Sequence, residues 1–101
     1  MITTPVNRFK QQLTAGAPLD GLWMSLCSPL AAEALGLVGF DWLLIDTEHA
    51  PADLAQVQPL LQAASAGNSS LVVRPAWNDK VLIKRALDMG AQTLLIPFVQ
   101  T

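Results

Sequence analysis

Apolar and polar stretches alternate along this chain in a regular order. Short apolar runs are separated by longer stretches in which apolar residues recur every three or four positions, the spacing of an amphipathic helix. The runs predicted as strands are 21–26, 41–46, 70–74 and 93–97. The stretches predicted as helices are 7–16, 28–39, 51–67 and 78–90. Apolar strands that alternate with helices predict a parallel sheet covered by helices, and therefore an α/β fold.

Glycines mark three of the joints between a predicted helix and the next strand. Gly39, Gly67 and Gly90 each lie four residues before the leucine that enters that strand. Glycine adopts the left-handed conformation that commonly ends a helix at little steric cost, so we expect these three residues to have it. The leucines at positions 22, 43, 71 and 94 are 21, 28 and 23 residues apart. These intervals match the length of one βα unit.

Within the α/β class, a closed barrel and an open doubly wound sheet both fit the order of elements. A complete eight-stranded (β/α) TIM barrel needs about 250 residues. This 101-residue chain has four predicted strands. Residues 1–101 are therefore expected to be the first half of such a barrel, with an N-terminal helix followed by about four of its strands. We expect no second domain, because the sequence shows no linker or low-complexity segment.

Composition narrows the classes of partner. Hydrophobic residues make up 51% of the chain and charged residues 14%, against about 25% charged in typical domains. Mean hydropathy is +0.38, which favours a protomer that buries surface in a larger assembly. The net charge of −2 with six scattered Lys and Arg residues argues against nucleic acid and against a membrane surface as partners.

Cysteine usage and the absence of long apolar runs bear on the compartment. Cys27 is the only cysteine, so no intramolecular disulfide can form and a reducing compartment is expected. No run approaches the roughly 18 apolar residues of a membrane span, and the first residues lack the apolar core of a signal peptide. We therefore expect a soluble, cytoplasmic protein.

Ionisable side chains follow the predicted strands at their carboxyl ends. The second strand leads into Asp46, Glu48 and His49, and the third strand ends at Arg74. Chemistry gathers at the carboxyl ends of parallel strands in both α/β architectures. The opposite joints consist mostly of glycine and small residues. This asymmetry predicts a functional site at the carboxyl edge.

Each of these groups also has a simpler structural interpretation. Asp46 could cap the turn before the next helix, Glu48 could be a solvated loop acid, and His49 could be structural. Arg74 follows two buried valines and must find an anion, which is either a substrate or a neighbouring carboxylate. The tryptophans are most simply interpreted as core or interface packing. These are Trp23, Trp42 and Trp77.

Several chemistries have no support in the sequence. There is no G-x-S-x-G elbow, Cys27 has no recognisable partner, and neither G-x-G-x-x-G nor a P-loop is present. The lysines all fall on predicted helices, so none is placed for a Schiff base. Three possibilities remain: proton transfer by His49, anion or oxyanion binding by Arg74, and carboxylates that serve a divalent metal.

Three segments, FDWLLIDTEHAP (40–51), VVRPAWND (72–79) and DMGAQTLLIPFVQT (88–101), resemble the class II pyruvate aldolases of the aldolase/citrate lyase family. These enzymes cleave 2-keto-3-deoxy sugar acids and 4-hydroxy-2-oxoheptanedioate. The resemblance implies a TIM-barrel enzyme that reversibly cleaves a 4-hydroxy-2-keto acid to pyruvate and an aldehyde. It also implies a divalent metal, such as Mg²⁺, Mn²⁺ or Co²⁺, and a homo-oligomer, often a hexamer.

The resemblance further implies roles for individual residues. His49 would be the catalytic acid/base, Arg74 would hold the keto oxygen, and Asp88 would raise the basicity of the histidine. The glutamate and aspartate that bind the family's metal fall beyond Thr101, so no metal ligand is assigned in this chain. Asp46 and Glu48 are expected to bind substrate or to support the groups that do.

Asp88 conflicts with this scheme, because it ends a predicted helix at the face away from the site. It either pairs with Lys84 and Arg85 one turn earlier or reaches His49 of a neighbouring subunit, which the resemblance favours. Two other functions stay open. One is a non-catalytic half-barrel that oligomerises through its sheet edges. The other is a lyase that cleaves an acyl-coenzyme A ester as citrate lyase does.

Overall fold

In this computed structural model, residues 6–47, 54–97 and 99 are described. Within them, helices and strands alternate along the chain: α1 (Arg8–Ala15), β1 (Gly21–Met24), α2 (Pro29–Gly36), β2 (Trp42–Asp46), α3 (Leu54–Ala64), β3 (Ser70–Arg74), α4 (Lys80–Asp88) and β4 (Thr93–Leu94). The strands form one parallel sheet in the order β1-β2-β3-β4. The predicted α/β class is therefore confirmed.

The register of the sheet aligns the strands residue by residue. Trp23, Leu44, Val72 and Thr93 form one row across all four strands. Asp46 and Arg74 form the last pair of β2 and β3. The backbone N–H of Leu95 donates to the carbonyl of Val73 at 2.9 Å, so pairing continues one residue beyond β4. Strands β1 and β4 are shorter than predicted, ending at Met24 and Leu94.

One face of the sheet is packed against helices. Leu43, Ile45 and Val73 are buried there with apolar residues of α2, α3 and α4. The helix residues are Ala32, Val57, Leu60, Leu61, Ala64 and Ala86. Each fully buried aliphatic side chain of this size contributes about 1.5–3 kcal/mol. This hydrophobic core fixes the sheet and so holds its carboxyl edge in place.

The opposite face of the sheet carries two tryptophans beside the buried residues Leu44 and Val72. Trp23, Trp42, Leu44 and Val72 line a cavity of about 220 Å³ together with Phe9 of α1 and residues of β4. The indole of Trp42 lies over Gly21, where a Cβ atom would come 1.8 Å from a ring carbon. A side chain larger than hydrogen at position 21 would therefore displace Trp42.

Side chains cap the first turn of two of the three helices whose N-cap residue the structure describes. Asn7 accepts a hydrogen bond from the backbone N–H of Lys10 at 3.0 Å. Ser28 accepts one from Ala31 at 3.3 Å, with Pro29 at the first helical position. These bonds satisfy N–H groups that the helix leaves without partners. Asp79 precedes α4 but makes no such side-chain bond.

The glycine prediction is correct at two joints and wrong at the third. Gly39 and Gly90 have φ angles of +110° and +105°. Gly67 does not have a positive φ; it is required for another reason. A Cβ atom there would come 1.6 Å from the carbonyl oxygen of Gly36. The residue therefore allows the chain after α3 to approach the end of α2 closely.

None of the helices in the described ranges is long and apolar enough to cross a membrane.

Candidate active site

Asp46 and Arg74 form an ion pair at the carboxyl edge of the sheet. They are register partners, each the last residue of its strand. Arg74 donates from Nε to Oδ1 of Asp46 at 3.1 Å and from Nη2 to Oδ2 at 2.7 Å. Two parallel bonds of this kind fix both the distance and the relative orientation of the two planar groups.

Trp23 of β1 completes this arrangement. Its indole Nε1–H donates to Oδ2 of Asp46 at 2.9 Å, and Cζ of Arg74 lies 4.7 Å from the centroid of its ring. This is the distance of a cation–π contact. Because Trp23 is in the row of Leu44, and Asp46 follows two residues later, the two side chains project from the same face of the sheet.

Thr47 extends the connection between β2 and β3 by one residue. Its backbone N–H donates to the carbonyl oxygen of Arg74 at 3.0 Å, and its hydroxyl donates to the same oxygen at 2.6 Å. The backbone of Arg74 is therefore fixed by Thr47 while its side chain is fixed by Asp46. A short β-strand pair usually frays at its end, and these bonds hold this end together.

The two side chains of the ion pair differ in their exposure to solvent. The side chain of Asp46 is only 2% exposed, whereas that of Arg74 is 16% exposed. A carboxylate buried this deeply is costly unless it is paired and hydrogen bonded, and three N–H donors reach it. The result is a guanidinium of fixed orientation at the rim of the site. Such a cation can bind a carboxylate or stabilise negative charge that develops on an oxygen.

The structure brings only some of the predicted site residues together. Asp46 and Arg74 are in direct contact, so the anion predicted for Arg74 includes the neighbouring carboxylate. Glu48 and His49 lie outside the described residues. Nothing in the geometry therefore tests the acid/base role expected of His49.

Asp88 lies on the other side of the molecule from this pair. A helix between two parallel strands runs back from their carboxyl edge to their amino edge, and Asp88 is the last residue of α4. It is exposed, and its Oδ2 accepts a hydrogen bond in an ion pair with Nζ of Lys84, one helical turn earlier, at 3.0 Å. The predicted pairing with Lys84 is therefore present, and within one chain Asp88 is remote from Asp46.

The described part of the chain does not fit a divalent metal. It contains no group of three or more His, Cys, Asp and Glu side chains that could hold an ion. Both oxygens of Asp46 accept N–H bonds, and the guanidinium of Arg74 faces them. A cation there would meet the positive charge of Arg74 at close range.

Trp23 is the residue that the sequence interpretation missed. It was assigned to packing, yet it contacts both members of the ion pair. The signal was available in the sequence. Aligning the leucines that enter β1 and β2 places Trp23 beside Leu44, and the two-residue period of a strand then places it on the same face as Asp46.

A larger cavity, of about 460 Å³, lies at the amino edge of the sheet. Its lining includes Arg8, Asn68, Ser70 and Thr93. Asn7 closes part of this edge by donating to Oγ1 of Thr93 at 3.2 Å. None of the predicted site residues that the structure describes, Asp46, Arg74 and Asp88, lines it, so the candidate active site remains at the carboxyl edge.

Comparison with known proteins defines the class. Residues 20–101 match the HpcH/HpaI aldolase/citrate lyase family. The match covers most of the chain, and this protein belongs to that family. The resemblance noted in the sequence is therefore confirmed.

Particular relatives bear the names of aldolases. The chain is 57% identical over 94 residues to a 4-hydroxy-2-oxo-heptane-1,7-dioate aldolase of Klebsiella pneumoniae, covering 93% of this chain and 36% of that protein. It is 56% identical over 96 residues to a pyruvate aldolase of Rhizobium etli, covering 95% of this chain and 38% of that protein. The chain thus spans little more than a third of the length of these curated relatives.

A solved structure shows the same fold. A HpcH/HpaI aldolase/citrate lyase family protein from Burkholderia cenocepacia superposes with a TM-score of 0.91 at 48% identity. The superposition covers 95% of this chain and 38% of that one. It confirms the α/β fold predicted from the alternation of strands and helices, and the barrel type that the resemblance implies.

Proposed function

We propose that the complete protein containing this chain is a carbon–carbon lyase of the aldehyde-lyase type. It would reversibly cleave a 4-hydroxy-2-keto acid to pyruvate and an aldehyde. The names of the two curated relatives support this reaction. The structural observation that carries it is the guanidinium of Arg74, held in a fixed orientation at the carboxyl edge by the buried carboxylate of Asp46.

Arg74 has a direct task in such a reaction. When the bond between C3 and C4 of the substrate breaks, its electron pair moves toward C2 and the keto oxygen becomes an enolate oxygen. A cation that is already oriented stabilises this charge without reorganising at the moment of reaction. Asp46 supplies that orientation from a buried position, and we propose that it supports Arg74 rather than binding the metal.

We propose that His49 is the catalytic acid/base. It would take the proton of the C4 hydroxyl as C4 becomes the carbonyl carbon of the aldehyde. Protonation of the enolate at C3 then gives pyruvate. Glu48, which precedes His49 in the chain, is proposed to bind substrate or to support the groups that do. These roles rest on the family to which the chain belongs.

Asp88 is proposed to raise the basicity of His49 of a neighbouring subunit in a homo-oligomer. Asp88 ends α4 at the amino edge of the sheet, remote from Asp46 within one chain, which is why the proposed contact is between subunits. Its exposure of 64% is compatible with a contact between subunits. The ion pair with Lys84 would then be a local contact that coexists with, or is exchanged for, the contact across the interface.

We propose that a divalent metal, Mg²⁺, Mn²⁺ or Co²⁺, belongs to the complete active site. The described residues do not supply a ligand set, so its ligands would come from other parts of the complete protein. The domain assignment is likewise proposed: residues 1–101 form the first half of a (β/α)8 barrel. A cytoplasmic location also stays a proposal.

A second candidate function is assembly without catalysis by this 101-residue chain. Several large apolar side chains on and beside α2 are more than half exposed, which favours a covered surface in the native assembly. They are Leu26, Leu30, Leu37 and Val38. If light scattering shows that the isolated chain is a monomer and detects no larger oligomer, this second function is wrong.

The proposed reaction is tested on the complete protein by coupling pyruvate to the oxidation of NADH with lactate dehydrogenase. The substrate is 4-hydroxy-2-oxoheptanedioate, and the protein is assayed after treatment with EDTA and after adding back each of the three metals. We expect pyruvate formation that EDTA removes and a metal restores. Cleavage of citryl-coenzyme A in place of the keto acid would contradict the aldolase proposal and support the acyl-coenzyme A lyase.

A further inference from the structure

We propose that Trp23 is a positioning residue that sets the orientation of Arg74. This inference rests on the proposed function, because its consequence for catalysis requires that Arg74 acts on the substrate. Trp23 would act from β1 in two ways, through Asp46 and through direct contact with the guanidinium. It would not itself touch the reacting atoms.

The first contact fixes the carboxylate. Oδ2 of Asp46 accepts from Nε1 of Trp23 at 2.9 Å and from Nη2 of Arg74 at 2.7 Å, while Oδ1 accepts from Nε of Arg74 at 3.1 Å. The indole N–H comes from a third strand, so its bond to Oδ2 adds a restraint from a direction that the bonds between β2 and β3 do not supply.

The second contact fixes the guanidinium directly. Cζ of Arg74 lies 4.7 Å from the centroid of the Trp23 ring, so the cation meets the negative face of the indole. Each of the three side chains therefore contacts the other two. Because each contacts both others, we expect a change at Trp23 to alter the position of Arg74.

The indole N–H is what distinguishes tryptophan from phenylalanine at this position. The ring of Trp23 lines the cavity beside Leu44 and Val72, and phenylalanine would fill much the same space there. Phenylalanine would retain an aromatic face for Arg74 but would lack the N–H that reaches Asp46.

Trp23→Phe in the complete protein is therefore the diagnostic change. The readout is the exchange of pyruvate methyl protons with D₂O, followed by NMR, because enolate formation at C3 is required for exchange whatever the aldehyde. We expect the exchange rate to fall about tenfold, since the lost bond is to a charged group. Trp42→Phe, on the same face of the sheet but away from the ion pair, is the matched control and is expected to exchange at the wild-type rate.

To separate a purely structural role of Trp23 from the positioning of Arg74, Trp23→Phe is also made in a protein that carries Arg74→Lys. If Trp23 acts through Arg74, Trp23→Phe will have a much smaller effect in that background than in the wild type. The same factor in both backgrounds would overturn the proposal, as would a wild-type exchange rate in Trp23→Phe.

The NMR signal of the Arg74 Nε–H tests positioning without turnover. We expect a protected signal in the wild type and in Trp42→Phe, and rapid exchange with solvent in Trp23→Phe. If this pattern appears in a protein that neither exchanges nor forms pyruvate, positioning stands and the aldolase function fails. A signal that is equally protected in Trp23→Phe would overturn positioning, whatever the activity.

Discussion

Asp46 and Arg74 face each other across β2 and β3, and the guanidinium of Arg74 contacts both carboxylate oxygens of Asp46, at 3.1 and 2.7 Å. The partners differ in burial, with 2% exposure for Asp46 and 16% for Arg74. The pair therefore has two roles. It holds the last residues of two neighbouring strands together, and it presents an oriented cation at the edge where the fold gathers chemistry.

Removing the cation will take the ion-pair partner away from a buried carboxylate. We expect Arg74→Ala to lower the free energy of unfolding by about 3–5 kcal/mol, the cost of breaking a buried pair at one partner. The measurement is urea denaturation of the complete protein followed by tryptophan fluorescence.

Lys84→Ala is the matched control for this change. It also breaks an Arg/Lys–Asp pair, but its partners Lys84 and Asp88 are 75% and 64% exposed. An exposed pair at this helical spacing contributes about 0.3–0.5 kcal/mol. If the two variants lose equal stability, the structural role assigned to the buried pair is wrong.

Asp46→Asn keeps the shape of the side chain but removes its charge. One oxygen that accepts an N–H bond becomes an NH₂ group, so at least one donor of Trp23 or Arg74 loses its partner. We expect kcat/KM for pyruvate formation to fall by up to about 100-fold, the effect of misplacing a catalytic group by about 1 Å. Unchanged kinetics in a folded protein would show that Asp46 does not orient Arg74.

Asp88→Asn distinguishes a local ion pair from a contact between subunits. If Asp88 supports His49 of a neighbouring subunit, the variant will lose activity and the acid limb of its pH–rate profile will move to lower pH, because a less basic histidine is protonated at lower pH. Lys84→Gln breaks the same local pair and is expected to leave the profile unchanged. If both variants and the wild type have identical pH–rate profiles, the role of Asp88 is limited to its ion pair with Lys84.

Gly67→Ala tests the close approach between the ends of α2 and α3. The new Cβ atom would come 1.6 Å from the carbonyl oxygen of Gly36, so backbone must shift, and we expect a loss of stability of about 2–3 kcal/mol or more. Gly16→Ala is the control, because it has φ +76° but open space around its Cβ position. Its expected cost is about 1–2 kcal/mol, the cost of the left-handed conformation for a residue with a Cβ atom. A smaller loss in Gly67→Ala than in Gly16→Ala would contradict the packing described here.

The order of elements could be predicted from the sequence because burial leaves a periodic pattern. Strand β3 was predicted with its observed bounds, and Ser28 and Asn7 cap the helices that they precede. The function of Gly67 could not be predicted, since a close approach to Gly36 depends on how two helices pack. Sequence spacing shows only that a glycine follows the helix.

The site was predicted in part for a similar reason. Placement at strand ends identified Asp46 and Arg74, and the apolar run before Arg74 indicated that it needs an anion. That this anion includes Asp46 depends on the register of β2 against β3, and aligning the leucines that enter these strands does place Asp46 beside Arg74. The bond geometry between the two side chains is what the sequence leaves open. Trp23 was assigned to packing because aromatic residues are usually apolar contacts, whereas its N–H reaches across from β1.

The central claim is that the oriented guanidinium of Arg74 stabilises the enolate. The most direct test is the rate of pyruvate formation from 4-hydroxy-2-oxoheptanedioate by Arg74→Lys in the complete, metal-loaded protein, compared with the wild type. Lysine keeps the charge but cannot make the paired bonds to Asp46. We predict a fall in kcat of about 100-fold or more in a variant that remains folded. A folded Arg74→Lys protein with the wild-type rate would contradict the claim.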